Sequence, residues 1–278
     1  MAHVMNVEAH VVQPSNEQAE HAPFLVADQV HKVYKKGRGK EPLTVVDGAS
    51  MEVGAREFVA LIGPSGCGKS TLLSCLAGLT DFDEGNITLG GRSVRGPSVE
   101  SAMVFQHASL LPWRSVEANI SYSLELRRTH SKAEIRDKVT QVVALVGLGG
   151  FENHFPHEIS GGMQQRVNLA RALVVEPSLL LMDEPFGALD ALTKEQLQDE
   201  LSSLVGEIDR ATVFVTHDIR EAVYLADRVL VMSPRPGHVI HEARIDFPRT
   251  RTREMTETPE FEAIVADLRK LLRKEPHT

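Results

Sequence analysis

The sequence predicts an α/β fold: a mainly parallel sheet, antiparallel strands beside it, and a helical insertion between them. Three observations predict it. Short β-rich runs punctuated by glycine fill Phe24 to Gly96, helical periodicity dominates from about 107 to 176, and strands alternate with amphipathic helices from Leu179 to Met232. Such alternation indicates a parallel sheet covered on both faces.

Composition bounds the rest. The 278 residues are 42% hydrophobic and 24% charged, ordinary for a soluble globular chain of one domain with a subdomain. A formal charge of −8 argues against a general nucleic-acid binder, which needs a basic face. Lys35, Lys36, Arg38 and Lys40 cluster on a Gly-containing loop and read as a solvated loop. The two cysteines, Cys67 and Cys75, imply no disulfide framework, so the expected setting is cytosolic. No stretch approaches the roughly 18 to 20 apolar residues that cross a bilayer; the longest candidate, Leu173 to Met182, is broken by Glu176 and Pro177. With no signal-peptide pattern either, service to a membrane would run through a partner.

Along the chain, residues 1–23 are polar and without periodicity, a disordered leader whose His3, His10 and His21 lack metal-ligand spacing. Strands are expected at Phe24 to Val33, Val45 to Val53, Phe58 to Ile62 and Asn86 to Leu89, several of them antiparallel, and at Ser101 to Phe105. Ser131 with Glu134 makes a capping box, and Ile135, Val139, Val142, Val143 and Val146 share one helical face before Gly147. Later come strand Leu179 to Met182, a helix with Leu197, Leu201, Leu204, Val205 and Ile208 on its apolar face, strand Thr212 to Thr216, helix Ile219 to Ala226 and strand Val229 to Met232. A hairpin is expected over His238 to Phe247, and residues 248–278 read as a linker and a last amphipathic helix bearing Phe261, Ile264, Val265, Leu268, Leu271 and Leu272.

The chemistry centres on Gly63-Pro64-Ser65-Gly66-Cys67-Gly68-Lys69-Ser70-Thr71, which fits G-x-x-x-x-G-K-[ST] between an apolar strand and a helix. Glycines let several backbone N–H groups point inward, and the new helix adds its positive end, so a polyphosphate fits there. Lys69 is expected on the outer phosphates, Ser70 on Mg²⁺ and Thr71 on an inner phosphate. Asp183 and Glu184 end an apolar strand, where a parallel sheet opens on its ligand crevice. Asp183 is suited to Mg²⁺ through water, and Glu184 to orienting or deprotonating an attacking water. His217 follows the next strand and is placed to bond a terminal phosphate oxygen. Tyr34 is either a stacking platform for a base or simple packing. Ser160-Gly161-Gly162 opens a second helix with a hydroxyl and bare amides, a second phosphate-seeking terminus. One nucleotide does not need two such cradles; the second makes sense facing the nucleotide of another chain.

The phosphate loop, Gln106, Ser160 to Arg166, Asp183-Glu184, Ala188-Leu189-Asp190 and His217 occur in the order and spacing of the ATP-binding cassette ATPases, which the chain resembles from about Phe24 to Met232. Phe105-Gln106-His107-Ala108-Ser109-Leu110-Leu111-Pro112-Trp113, Ser160-Gly161-Gly162-Met163, Met182 to Asp190 and Ser233-Pro234-Arg235-Pro236-Gly237 resemble the importer branch for nitrate, sulfonate and taurine. The resemblance implies a P-loop ATPase domain over 24–247 and a head-to-tail homodimer holding two ATP. Each ATP would touch Tyr34, Gly63 to Thr71, Gln106, Asp183, Glu184 and His217 of one chain and Ser160, Gly161 and Gly162 of the other, with Asp190 linking the sites. Ser70, Gln106 and Asp183 would serve Mg²⁺. It also implies transmembrane permease partners, an extracytoplasmic solute-binding protein and a peripheral place on the cytoplasmic membrane face. Leu110, Leu111, Pro112 and Trp113 would be the docking surface, Trp113 alternatively packing inside the helical subdomain. Ile159 and Met163 depart from the Leu and Gln usual there; Met163 cannot make an amide's hydrogen bonds but leaves the Ser and Gly groups intact.

The residues leave open a nitrate-, sulfonate- or taurine-type anion, bicarbonate or a pyrimidine precursor as cargo. A soluble cassette ATPase is disfavoured by the single cassette and the short interval between Gln106 and Ser160, and a phosphate-loop kinase would not explain Ser160 to Gly162.

Overall fold

The computed structural model describes residues 23–35, 41–187, 189–207 and 210–274. The leader apart from Pro23, the basic residues Lys36, Arg38 and Lys40, and Ala188 and Ile208 lie outside the described residues, as does the side chain of Val205.

The antiparallel sheet is formed by β1 (Pro23–Tyr34), β2 (Leu43–Gly54), β4 (Glu84–Leu89) and the short β5 (Arg92–Ser93), in the order β2-β1-β4-β5. The second sheet runs β10-β9-β3-β8-β7-β6, where β3 is Phe58–Ile62, β6 Ser101–Val104, β7 Leu179–Asp183, β8 Ala211–Val215, β9 Arg228–Met232 and β10 Val239–Arg244. All its pairings are parallel except β10 with β9. The hairpin expected within His238 to Phe247 is therefore corrected. That span supplies one strand, and the reversal is made by Ser233 to Gly237, where the Ser233 hydroxyl accepts from His238 N–H at 3.1 Å and donates to Pro236 O at 3.1 Å.

Side-chain alternation along the parallel strands divides the core in two. Phe58, Ala60, Ile62, Leu180, Met182, Phe214, Val229 and Val231 meet the long helices, whereas Val59, Leu61, Leu179, Leu181, Val213, Val215, Leu230 and Met232 meet the first helix and the antiparallel sheet. Both faces are covered, by different kinds of element. Every residue of β3 and β8 is buried; β3 reads as an unbroken apolar run, and β8 is apolar except for Thr212.

Helices α1 (Lys69–Leu76), α2 (Val116–Arg127), α3 (Lys132–Leu145), α4 (Gly161–Leu173), α5 (Ala191–Glu207), α6 (Ile219–Leu225) and α7 (Pro259–Lys274) complete the chain. The Ser131–Glu134 capping box is present at α3, with Val139, Val143 and Val146 buried and Gly147 at φ +64° ending the segment. The C-terminal α7 covers its own chain: Phe261, Val265 and Leu268 are buried, Phe261 stacks on Phe247 with centroids 6.1 Å apart, and the Arg220 guanidinium lies 5.2 Å over the Phe261 ring.

Candidate functional site

Register builds the site. Leu61 pairs with Val215 and Val215 with Asp183, so β3, β8 and β7 end at one level and release the phosphate loop, Thr216-His217 and Asp183-Glu184 along a single edge. Val104 pairs with Met182, which brings Phe105-Gln106 out at the same edge.

Packing shapes the phosphate loop. A Cβ on Gly63 would lie 3.0 Å from Cys67 Sγ, and one on Gly68, at φ +110°, only 2.9 Å from Val45 O. Gly66, at φ +75°, needs its freedom for backbone conformation alone, since open space surrounds it. Cys67 is buried, and burial pushes its thiol pKa up against the opposing Lys69 charge, so it stays protonated. Lys69, also buried, donates to Gly63 O at 2.9 Å and Pro64 O at 3.0 Å, which holds its ammonium inside the loop.

Two pairs of candidate site residues are brought together. Ser70 Oγ donates to Asp183 Oδ1 at 2.8 Å, and His217 Nδ1 lies 2.9 Å from Glu184 Oε2. Glu184 sits at φ +44°, a region costly for a residue with a side chain. Its N–H donating to Val215 O at 2.9 Å and its carbonyl accepting from Gly187 N–H at 3.0 Å hold it there. Gln106 is exposed beside this turn, its Nε2 3.1 Å from where a Cβ on Gly187 would stand. Tyr34 is 42% exposed, with Lys32 Nζ 5.4 Å above its ring.

Ser160, Gly161 and Gly162 stand apart from these groups: among the described residues no hydrogen bond joins them to the phosphate loop, Asp183, Glu184 or His217. Ser160 and Gly161 are exposed, and the Ser160 hydroxyl accepts from Met163 N–H at 3.2 Å as the α4 cap. Met163 packs its side chain against the core, so the missing amide leaves that cap intact. A Cβ on Gly162 would come 2.4 Å from Thr193 Cγ2, which sets the α4 terminus against the turn of Asp190, itself the acceptor for Thr193 N–H at 3.1 Å.

The structure adds residues that the sequence reading passed over. Asn168 Nδ2 donates to Phe105 O at 2.9 Å, and Arg171 Nη1 to Ser109 O at 3.1 Å, so α4 fastens the loop that carries Gln106. Asn119, fully buried, donates to Arg114 O at 2.9 Å and accepts from Leu111 N–H at 2.8 Å, setting the shape of Leu111 to Arg114. This leaves Trp113 72% exposed, so packing inside the helical subdomain is not its role. Gly237 buttresses the phosphate loop: a Cβ there would lie 2.0 Å from Cys67 O. The signal for Asn168 was a polar residue between Val167 and Leu169 on a helix otherwise turned inward. Gly237 gave none beyond its turn.

Asp183 is the strained charge of the site. Burial pushes its carboxyl pKa up; the Ser70 hydroxyl opposes the shift and the adjacent Glu184 charge reinforces it. A carboxyl whose pKa is higher folded than unfolded costs stability while ionised, and the cost is relieved as pH falls through the raised value. Asp183→Asn, which can still accept from Ser70, is therefore expected to raise Tm at neutral pH by about 2–4 °C, equivalent to about 1 kcal/mol. The gain should vanish in acid. Nucleotide-free thermal melts across pH check it, and an equal or lower neutral Tm for the variant would refute the assignment of strain.

Comparisons with known proteins agree with this geometry. The ABC transporter family model matches residues 46–187. A nitrate import ATP-binding protein of Synechococcus elongatus is 45% identical over 241 residues, covering 86% of this chain, while the chain spans 36% of that longer protein. The taurine import ATP-binding protein of Rhizobium johnstonii is 42% identical over 245 residues, 86% of this chain and 93% of the relative. The aliphatic sulfonates import ATP-binding protein of Bacillus licheniformis is 44% identical over 224 residues, 80% and 86% of the two chains. Among solved structures, a dimeric ATP-binding cassette in a post-hydrolysis state bound to ADP and Pi matches with a TM-score of 0.70 at 30% identity, over 81% of this chain and 100% of that one. The sheet order, the strand-end chemistry and these matches together place the chain in the ABC transporter family.

Proposed function

We propose that this chain is the ATP-binding and ATP-hydrolysing motor subunit of a membrane importer, working as a head-to-tail pair of copies. One observation carries the reading. A single chain presents two phosphate-seeking helix termini, the loop Gly63 to Thr71 and the turn Ser160-Gly161-Gly162, whose Ser160 and Gly161 are exposed, and no hydrogen bond among the described residues joins the second to the first. Two copies turned against each other give both termini a nucleotide to share.

In that pair Tyr34 would stack on the base, the amides of Gly63 to Thr71 would cradle the phosphates, and Lys69 would hold the outer ones. Ser160, Gly161 and Gly162 would close over the same phosphates from the partner, and Asp190 would link the two sites across the interface. Glu184 would orient and deprotonate the attacking water while His217 bonds a terminal phosphate oxygen. Ser70 and Asp183, with oxygens 2.8 Å apart, fit Mg²⁺ shared with the nucleotide, and Gln106 would sense it. No group of three His, Cys, Asp or Glu among the described residues could hold a metal without the phosphates. Bound there, Mg²⁺ would neutralise charge on the phosphoryl oxygens.

Movement would leave the site through α4, whose Asn168 and Arg171 grip the loop of Gln106 and whose N-terminus is the Ser160 turn. Exposed Pro112 and Trp113 would meet a transmembrane permease subunit fed by an extracytoplasmic solute-binding protein. No helix among the described residues is long and apolar enough to cross a membrane, which suits a peripheral place on the cytoplasmic face. Relatives named for nitrate, taurine and aliphatic sulfonates point to a small anion of that type as cargo.

The shared site is tested by Ser160→Arg. A bulky cation in the turn should abolish ATP turnover by blocking closure, while the single chain still binds ATP as the unaltered protein does. Loss of ATP binding by the monomer, or turnover unaffected by the change, would refute it.

A further inference from the structure

Lys194 stands in the first turn of α5, four residues past Asp190, whose carbonyl accepts its N–H at 2.9 Å. Its ammonium crosses to the turn carrying His217, reaching Asp218 Oδ2 at 2.9 Å and Glu221 Oε1 at 2.5 Å. Glu221 is buried and also accepts from Gln198 Nε2 at 3.0 Å and from the Thr216 hydroxyl. That hydroxyl in turn accepts from Asp218 N–H at 3.0 Å. Both neighbours of His217 in the chain are thus fastened to one network closed by Lys194. Lys194, His217, Glu184 and Gly187 also line one cavity of about 80 Å³.

We propose that Lys194 is a positioning residue for His217, holding the turn that presents the imidazole to Glu184 and tying it to the helix that starts at Asp190. This deepens the hydrolytic reading and rests on it. The physical reason is charge. Asp218 and Glu221 lie three residues apart on one helical turn, and without a cation between them two carboxylates, one buried, repel. Either the turn shifts and carries His217 with it, or Glu221 takes up a proton and the network loses the charge pairing that holds the turn.

The titration behaviour agrees. Burial lowers the Lys194 pKa but its bonds to Glu221 and Asp218 outweigh that, leaving it raised; burial raises that of Asp218 and Lys194 outweighs it, leaving it lowered. Both directions keep the pair charged.

The test is steady-state ATP hydrolysis by the full-length chain. Lys194→Met is expected to lower kcat about 10- to 100-fold, with the KM for ATP within about threefold of the unaltered value. Lys194→Arg, whose fork can satisfy both carboxylates, should recover most of the rate. In a His217→Ala background Lys194→Met should cost nothing further, because the side chain it positions is gone. If Lys194→Met does not fold, adding Asp218→Asn keeps the α6 cap and removes the repulsion, so the double variant should fold and keep kcat within about tenfold of the unaltered value; a double variant as slow as a full loss of His217 would overturn the proposal. Full activity in Lys194→Met, an undiminished loss in the His217→Ala background, or a failure of Lys194→Arg to rescue would overturn the proposal. An unaltered protein that hydrolyses no ATP removes the functional reading and this one together, whereas an active one matched by Lys194→Met removes this one alone.

Discussion

Glu184→Gln is expected to lower ATP turnover by about 10²- to 10⁴-fold, the range associated with losing a positioned general base. The amide is nearly the same shape and can still meet His217 Nδ1, which lies 2.9 Å from Glu184 Oε2. It has no basic oxygen to take a proton from water. Binding should survive, because removing a negative charge next to the phosphates favours the nucleotide, and the pair of chains should persist with ATP held between them. Single-turnover hydrolysis with size-exclusion chromatography in ATP and Mg²⁺ reads both effects. A variant within about tenfold of the original rate would remove Glu184 from the role of base.

Lys69→Ala acts on the other half of the site. Charge-assisted hydrogen bonds to phosphate are worth about 1.5–3 kcal/mol, so ATP affinity should fall by about 10- to 150-fold. The loop should also lose definition, since the ammonium that bridges Gly63 O and Pro64 O is gone. Calorimetric titration with ATP measures the first effect; an unchanged Kd would mean that the loop is not the phosphate cradle.

Much of this was legible in the chain because the responsible patterns are local. A glycine-rich turn between an apolar strand and a helix is recognisable within nine residues, and Ser131 with Glu134 predicts the cap found at α3. The α2 helix was harder to see as a separate element. Its buried Val116, Ile120 and Leu124 make only a thin stripe, and its cap Ser115 sits in a loop shaped by Asn119. The hairpin read into His238 to Phe247 failed because alternation cannot say which strand is the partner, and Val239–Arg244 pairs with β9 upstream.

The C-terminal helix shows the same boundary. Its apolar face was plain, but what that face covers is shown only by Phe261 stacked on Phe247 and beneath Arg220.

The amino-acid order alone therefore disclosed the class of fold and marked the glycine-rich loop, the acids and the histidine at the strand ends as site candidates, because each depends on residues adjacent in sequence or on a repeat of two or 3.6. Only the tertiary structure decided that Gly237 supports Cys67, that Asn168 and Arg171 hold the loop of Gln106, and that Lys194 reaches the turn of His217. Those contacts join segments dozens of residues or more apart. The geometry that closes them is set by strand register and helix packing, and nothing in a one-dimensional pattern encodes it.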